Sequence, residues 1–369
     1  MTAMGPSIGE ATATFARIGL LSFGGPAGQI ALMHRVLVDE KRWLDEERFL
    51  HALNYCMLLP GPEAMQLATY AGWLLHGVRG GLIAGLLFVL PGALVITALS
   101  TAYLLLGDVT VIQGLLFGLK AAVLAVVVEA LMRVSKRALK GPAHVAIAVA
   151  AFVAIAFFGV LFPIIVLAAA ALGSALHFVS GTDMRQDQRA AEPGAGTDMP
   201  EWTRPTLARF ATSLSVWLAL WIGPLVLLHL LLGSGNVFAR EASFFSIMAA
   251  VTFGGAYAVL AWVAQQAVEV HGWLIPDEML TGLGLAETTP GPLILVLVFV
   301  GFLGAARLSG LEPLAGGLAG AAVTLWFTFV PCFLWIFVGA PYVETVRNVR
   351  WLAASLAYRR YARFVPIWV

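Results

Sequence analysis

The chemistry-bearing residues of this chain are few and oddly placed. Pro60-Gly61-Pro62 stands inside an apolar stretch running from about Phe49 to Leu75, and Glu63 follows at once. A second triplet, Pro290-Gly291-Pro292, comes just after Thr288 and Thr289 in a similar setting. Two more breaks read Phe23-Gly24-Gly25-Pro26 and Phe253-Gly254-Gly255. Glycine permits backbone angles other residues avoid, and proline can open a helix at its first position, where a missing N–H costs nothing. Pro26 and Pro62 can each take that position. Each break then exposes a helix N-terminus with free N–H groups and a partial positive charge, which suits an anion. Gln66, one turn past the first triplet, can donate hydrogen bonds, and Thr288 and Thr289 offer hydroxyls before the second. Lys120, in GLLFGLKAAVLAVVV, has about ten apolar residues on either side. A lysine at mid-depth should face the bundle interior or a cavity, where it would attract an anion. The alternatives are a structural pair, with Glu129 or Glu63 as partner, and snorkelling to an interface. Glu63 reads either as a carboxylate complementing the helix dipole or as a group that exchanges a proton as substrate arrives. Arg17 is a second cation for the site or an interfacial anchor.

The elements that hold these residues must be membrane helices. Of 369 residues, 60% are hydrophobic and 12% charged, with mean hydropathy +0.88. Soluble domains carry about 25% charged residues, so lipid must solvate much of this chain. Only helices and closed barrels span lipid, and these apolar runs are too long for barrel strands, so the expected fold is an all-α polytopic membrane protein. A net charge of +1 argues against a nucleic-acid partner. The seven histidines lack metal-ligand spacing, and His34, His51 and His76 read as near-interface residues. No phosphate-binding loop or dinucleotide fingerprint is present, so no metal, cofactor or direct use of ATP is expected. Cys56 and Cys332 lie far apart in apolar surroundings, a weak case for a disulfide. No basic segment precedes the first apolar run, as a cleavable signal peptide would require.

Apolar blocks fall near 8–38, 49–78, 82–106, 109–132, 143–158, 160–179, 208–232, 243–270, 279–305 and 314–338, with a weaker one near 351–358. Gly81–Gly85, Gly114–Gly118 and Gly316–Gly320 have the spacing that lets helix backbones approach closely. A polar, glycine- and proline-rich stretch, 181–206, reads as a flexible cytoplasmic linker between residues 1–180 and 207–369. Shifted by 230 residues the sequence matches itself: Phe15 falls on Phe245, Phe23-Gly24-Gly25 on Phe253-Gly254-Gly255, Trp43-Leu44 on Trp273-Leu274, Glu47 on Asp277 and Pro60-Gly61-Pro62 on Pro290-Gly291-Pro292. Pro91 matches Pro331 after a longer insertion. Three rare motifs in one register indicate a duplication. Leu293 stands where the first copy has Glu63, and Ala256 where it has Pro26.

Lysine and arginine cluster at 133–142, in the linker and after residue 340, whereas 269–278 has neither. If every block crosses once, the basic loop 35–48 falls outside, against the positive-inside rule. If 8–38 and 49–78 are instead re-entrant hairpins folded at FGGP and PGP, 35–48 returns to the cytoplasm and 269–278 lies outside. Either way the two halves have inverted topology. Inverted repeats with broken helices characterise secondary transporters, whose sites lie near the midplane.

FARIGLLSFGGPAGQIALM, RWLDEERFLHALNYCMLLPGPEAMQLATYAGW and GGLIAGLLFVLPG resemble the chromate transporter family, as do TFGGAYAVL, GWLIPDEML and TTPGPLILVLVFVG further on. The resemblance runs from about residue 10 to 350. It implies proton-driven export of chromate across the bacterial inner membrane and chromate resistance, with sulfate as the natural competitor. The family pattern falls on Phe23, Gly24, Gly25, Pro26, Pro60, Gly61, Pro62 and Lys120. The expected partners are the oxyanion, the bilayer and a second copy of the chain. An alternative is uptake or exchange of sulfate or another oxyanion by the same site. Against the repeat, the second half is short of its last spans and ends in the basic, aromatic LAYRRYARFVPIWV.

Overall fold

A computed structural model describes residues 5–107, 109–138, 142–158, 201–252 and 256–347. Every regular element among them is a helix. The blocks expected at 160–179 and 351–358, most of the linker and the basic tail lie outside the described residues. At the linker's end, Glu201–Thr203 forms one 3₁₀ turn with Thr203 buried.

The first apolar block is a hairpin. Its first leg is α1 (Ile8–Leu20), which starts at Ser7, whose hydroxyl accepts from the Glu10 N–H. The chain breaks over 21–24 and returns through α2 (Gly25–His34) and a π-helical turn, Arg35–Glu40. Lys41 Nζ reaches Glu10 Oε1 at 2.9 Å. A straight helix would hold residues 10 and 41 about 45 Å apart, so the segment folds back at Phe23-Gly24-Gly25.

The second hairpin starts with α3 (Glu46–Cys56), capped by Asp45. It breaks over 57–62 and continues into α4 (Glu63–Leu106). The rings of Tyr55 and Tyr70, on either side of the break, lie 5.9 Å apart. α4 itself has two arms, because His76 and Gly77 leave helical geometry, Gly77 at φ 59°. A Cβ on Gly72 would lie 2.3 Å from the Gly80 carbonyl, and one on Gly85 2.4 Å from Thr69 Oγ1. The arms 63–75 and 78–106 are therefore antiparallel and almost in backbone contact. Pro91 in the long arm has no N–H for the carbonyl of Leu87, four residues back. Gly19 of α1 packs on that freed carbonyl, which a Cβ there would meet at 2.0 Å.

After α5 (Thr110–Ala138), α6 (Pro142–Phe158) and α7 (Leu207–Leu232, capped by Thr206), the pattern recurs. The third hairpin is α8 (Val237–Val251, capped by Asn236), a break, α9 (Ala256–Gln265) and a π-helical turn, Gln266–Val270. The fourth is α10 (Pro276–Glu287), the second triplet, a 3₁₀ turn at Leu293–Leu295 and α11 (Val296–Leu308). α12 (Pro313–Arg347) follows. The 230-residue register extends to hydrogen bonds. Lys41 N–H bonds the Val36 carbonyl as His271 N–H bonds that of Gln266, both at 2.9 Å. Trp43 N–H bonds the Leu37 carbonyl as Trp273 N–H bonds that of Ala267, both at 2.8 Å. The third hairpin is clasped where the first is, by Arg240 Nη2 on His271 Nδ1 at 2.9 Å. The fourth closes through Arg307 Nη2 and Glu278 Oε1 at 2.5 Å.

The long arm of α4 shows the inversion. It leaves the mouth of the second hairpin at residue 78, and Tyr103, about 38 Å further along, donates to Glu278 at the mouth of the fourth. The hairpin pairs thus enter from opposite ends. Residues Met1–Val128 and Thr206–Ala340 make one compact unit, so hairpins of both halves share a core. The other unit, Glu129–Pro205 with Pro341–Val369, contains α6 among its described parts.

α4, α7 and α12 are long and apolar enough to cross a membrane. α7 leaves Leu207, Leu230 and Leu231 more than 70% exposed, an outward face suited to lipid. The glycine pairs divide. Gly81 packs on Phe337, and Gly316 and Gly320 pack on the carbonyls of Ala305 and Gly301. Gly114 and Gly118 meet nothing among the described residues.

Candidate functional site

The hairpin tips cross between halves. Gly61 N–H donates to the Thr252 carbonyl at 2.7 Å, and Gly291 N–H donates to the Ser22 carbonyl at 2.8 Å. Both donor and acceptor pairs are 230-residue equivalents, so this is one contact made twice about a pseudo-twofold axis. Ser22 and Thr252 turn their hydroxyls back onto Ile18 and Met248, at 2.6 and 2.5 Å, which leaves their carbonyls to the partner half. The glycines are needed: φ is 111° at Gly61 and 94° at Gly291, in the region L side chains rarely adopt.

A long helix backs each crossing at its middle. A Cβ on Gly92 of α4 would sit 2.0 Å from the Pro290 carbonyl, and one on Gly61 would sit 2.9 Å from Cys332 Sγ of α12. Pro91-Gly92 and Pro331-Cys332 are the matched pair that follows the longer insertion. Each crossing also holds a buried glutamine. Gln29 Nε2 donates to the Gly291 carbonyl at 2.6 Å and to that of Ser22 at 3.3 Å. Gln66 Nε2 donates to the Pro60 carbonyl at 2.7 Å. The carbonyl partners fix both amide orientations, and each Oε1 is left buried without a hydrogen-bond partner.

Helix starts differ by location. Ser7, Asp45, Thr206 and Asn236 cap those at the hairpin mouths and connections. The starts at the breaks, after Gly24, Pro62 and Pro292, have no side-chain cap from those residues. Pro62 and Pro292 occupy the cap position itself, one place before the first helical position expected for Pro62. Pro26 is the second residue of α2, after Gly24 and Gly25 at φ 83° and 70°. Glu63 consequently opens α4.

The remaining expected site residues separate into groups. Gly24, Gly25, Thr289 and Gly291 line one cleft with Ala286, Glu287 and Leu293, about 10 Å³ in volume. That is room for about one water; the crossing as described is closed to a tetrahedral oxyanion. Phe23 is 46% exposed. Thr288 and Thr289 spend their hydroxyl protons on the carbonyls of Leu285 and Ala286, at 2.9 and 2.8 Å, so neither is a ready donor. Gly254 and Gly255 lie outside the described residues. Lys120 is not at the crossings. It pairs with Asp277 at the mouth of the fourth hairpin, about 16 Å along α10 from the second triplet. Of the readings open for it, the structural pair is the one seen, with a partner other than Glu129 or Glu63. Arg17 is exposed on the last turn of α1.

Ser22, Thr252, Gln29 and Gly92 were not singled out by the sequence. Ser22 and Thr252 are visible in hindsight as small hydroxyl residues in register before each FGG. Gln29 has no such mark, since its counterpart is Val259.

The charged clasps mark the mouths. Burial and then the Arg240 guanidinium hold the His271 imidazole below the usual histidine range. At Glu278 burial pushes upward, but the hydrogen bonds from Arg307 and the Ile275 N–H outweigh it and hold the carboxyl below the usual range. Among the described residues no group of histidine, cysteine or carboxylate side chains could hold a metal ion.

Inverted halves whose broken helices meet at mid-bundle, among helices able to span lipid, define a multi-pass membrane protein of transporter architecture. The profile of the chromate transporter family matches residues 9–174 and 240–367. The chain belongs to that family. It is 33% identical to a chromate transport protein of Pseudomonas aeruginosa, over 93% of this chain and 75% of the relative. It is 28% identical to a probable chromate transport protein of Synechococcus elongatus (92% and 77% covered) and 27% identical to a chromate transport protein of Cupriavidus metallidurans (89% and 73%). The chain thus spans about three-quarters of the length of these relatives, all named as transport proteins rather than enzymes. No solved structure matches it.

Proposed function

We propose that this chain is a secondary transporter that exports chromate across the bacterial inner membrane, driven by the proton gradient, and so confers chromate resistance. The observation that carries the reading is the pair of crossings at mid-bundle, where helix starts without side-chain caps lie beside buried glutamines. Helix N–H groups suit the oxygens of a dianion. The free Oε1 of Gln29 or Gln66 would accept from a hydroxyl, so the crossings also suit a monoprotonated oxyanion. The relatives named for chromate transport support chromate as cargo. Glu63, at the first crossing, is the candidate for exchanging a proton with the cargo. The narrow cleft fits an occluded state, with passage requiring the hairpin tips to separate. The charge pattern puts the mouths of the first two hairpins in the cytoplasm.

Inside-out membrane vesicles test this. Energised vesicles should accumulate labelled chromate, and an uncoupler should abolish the uptake. Gln29→Leu should lower flux by about tenfold or more, while Lys120→Ala should leave it near wild type. Flux lost with Lys120→Ala and kept with Gln29→Leu would move the path from the crossings to the lysine. Sulfate uptake by right-side-out vesicles, without chromate accumulation in inverted ones, would establish the import alternative.

A further inference from the structure

We propose that Glu241 is a proton-carrying carboxyl of the transport cycle. The proposal rests on the proton-driven reading above and adds to it a group in the opposite half from Glu63. Glu241 lies on α8, one residue past the clasp residue Arg240. Its exposure is 0%, and both carboxyl oxygens are buried without a hydrogen-bond partner. An ionised carboxylate in that state would bear its full desolvation penalty; the enclosure is tolerable for the neutral acid. Space is kept for it. A Cβ on Gly304 of α11 would lie 3.1 Å from Glu241 Oε1 and 2.9 Å from the Trp273 ring. Trp273 is itself fully buried, and its Nε1 also lacks a partner.

The duplication supplies an internal control. The positions equivalent to Glu241 and Gly304 are Ala11 and Leu74, both buried at 5% exposure. The first half packs the same pair of hairpins with an apolar niche there, so the architecture does not require an acid. The second half retains one, at the mouth opposite to that of the first two hairpins.

The charged groups of α8, α10 and α11 other than Glu241 are already engaged, and His229 of α7 meets Ser243 of α8. Arg240 of α8 bonds His271, which follows the π-helical turn. Arg307 of α11 bonds Glu278 of α10, and Asp277 of α10 bonds Lys120 of α5. Glu269, on the π-helical turn itself, is exposed. Ionisation of Glu241 therefore calls for a rearrangement that frees Arg240 or Arg307 from its partner. The O–H bond breaks, its proton passes to water at the opened mouth, and the carboxylate pairs with the released arginine. Proton release is in this way tied to opening of that mouth, and reprotonation to its closure.

The test uses the full chain in proteoliposomes, with chromate as probe and two readouts: flux driven by an imposed pH gradient, and chromate–chromate counterflow without one. Glu241→Gln should lower gradient-driven flux by about tenfold or more and flatten its pH dependence, while counterflow stays within about twofold of wild type. Gradient-driven flux with a wild-type pH profile would overturn the assignment. So would loss of driven flux and counterflow in parallel, which is the mark of a structural role. If Glu241→Gln does not yield folded protein, Glu241→Ala with Gly304→Leu rebuilds the niche of the first half and is read in the same way. Wild-type protein with counterflow but no gradient-driven flux would remove the proton-driven reading itself, and is told apart because the control alone shows it.

Discussion

The first and third hairpins have one backbone and two chemistries. Their π-helical turns, back-bonded hydroxyls and carbonyl contacts coincide at a shift of 230 residues. Yet an ion pair between Lys41 and Glu10 clasps the first, and an arginine on a neutral imidazole clasps the third. The second and fourth hairpins differ likewise: Glu278 and Arg307 close the fourth, where the second has Arg48 and Gly77. The backbone contacts that build the crossings are shared, and the groups that distinguish the two ends of the molecule are side chains added at the mouths. Duplication supplied the frame; divergence at its rims made the ends respond to different conditions.

The largest expected effect comes from the mouth with no counterpart. Arg307→Met should leave Glu278, only 3% exposed at its side chain, as a buried charge without its cation. A loss of about 3 kcal/mol is expected, read as a lowered melting temperature in detergent, and Glu278→Met in addition should restore much of it. A double variant as unstable as the single would show that the pair is not the cause.

The crossings come next. Gly92→Ala drives a Cβ into a backbone carbonyl, whereas Gly61→Ala meets the side chains of Cys332 and Gln66. Gly92→Ala should therefore cost about 2–3 kcal/mol and Gly61→Ala less from packing, although its φ of 111° adds strain. Cys332→Ala should relieve Gly61→Ala in part and leave Gly92→Ala unchanged. Equal relief of both would contradict the pairing described.

The clasps give the smallest effect, about 1 kcal/mol or less. The folded-state pKa of His271 is depressed, so its contribution is fully present above about pH 6.5, the ordinary imidazole value, and is lost as pH falls towards the folded value. Amide protection factors at 237–241 and 269–274 should fall as pH drops from about 7.5 to 5.5, while those at 8–11 and 39–43 should respond mainly to salt. The same pH response at both mouths would erase the contrast.

The repeat was legible because its markers, Phe-Gly-Gly and Pro-Gly-Pro, are rare in apolar helices and strike the eye against leucine and alanine. The fold-back at each break was only hinted at by loop charges, since Glu10 and Lys41 become partners only once the hairpin closes. Lys120 shows the limit most clearly. A lysine flanked by apolar residues looks central in one dimension, but its partner Asp277 is 157 residues away and sits at a rim. Gln29 and Glu241 escaped notice for the opposite reason. Each is an ordinary polar residue in sequence, and each becomes unusual only when the surrounding helices deny it a partner.

The contact between Ser22 and Gly291 also bears on how such a protein comes to exist. Gln29 bonds the same glycine across 262 residues, which at about 5–20 residues per second is roughly 13–50 s of translation. During that interval the first half must wait beside the translocation machinery with the Ser22 carbonyl and the Gln29 amide bonded only to each other. Membrane insertion of this chain is therefore a two-stage assembly in time, and a helper that shields those groups, or a pause that shortens the wait, would raise its yield without touching any residue of the finished molecule.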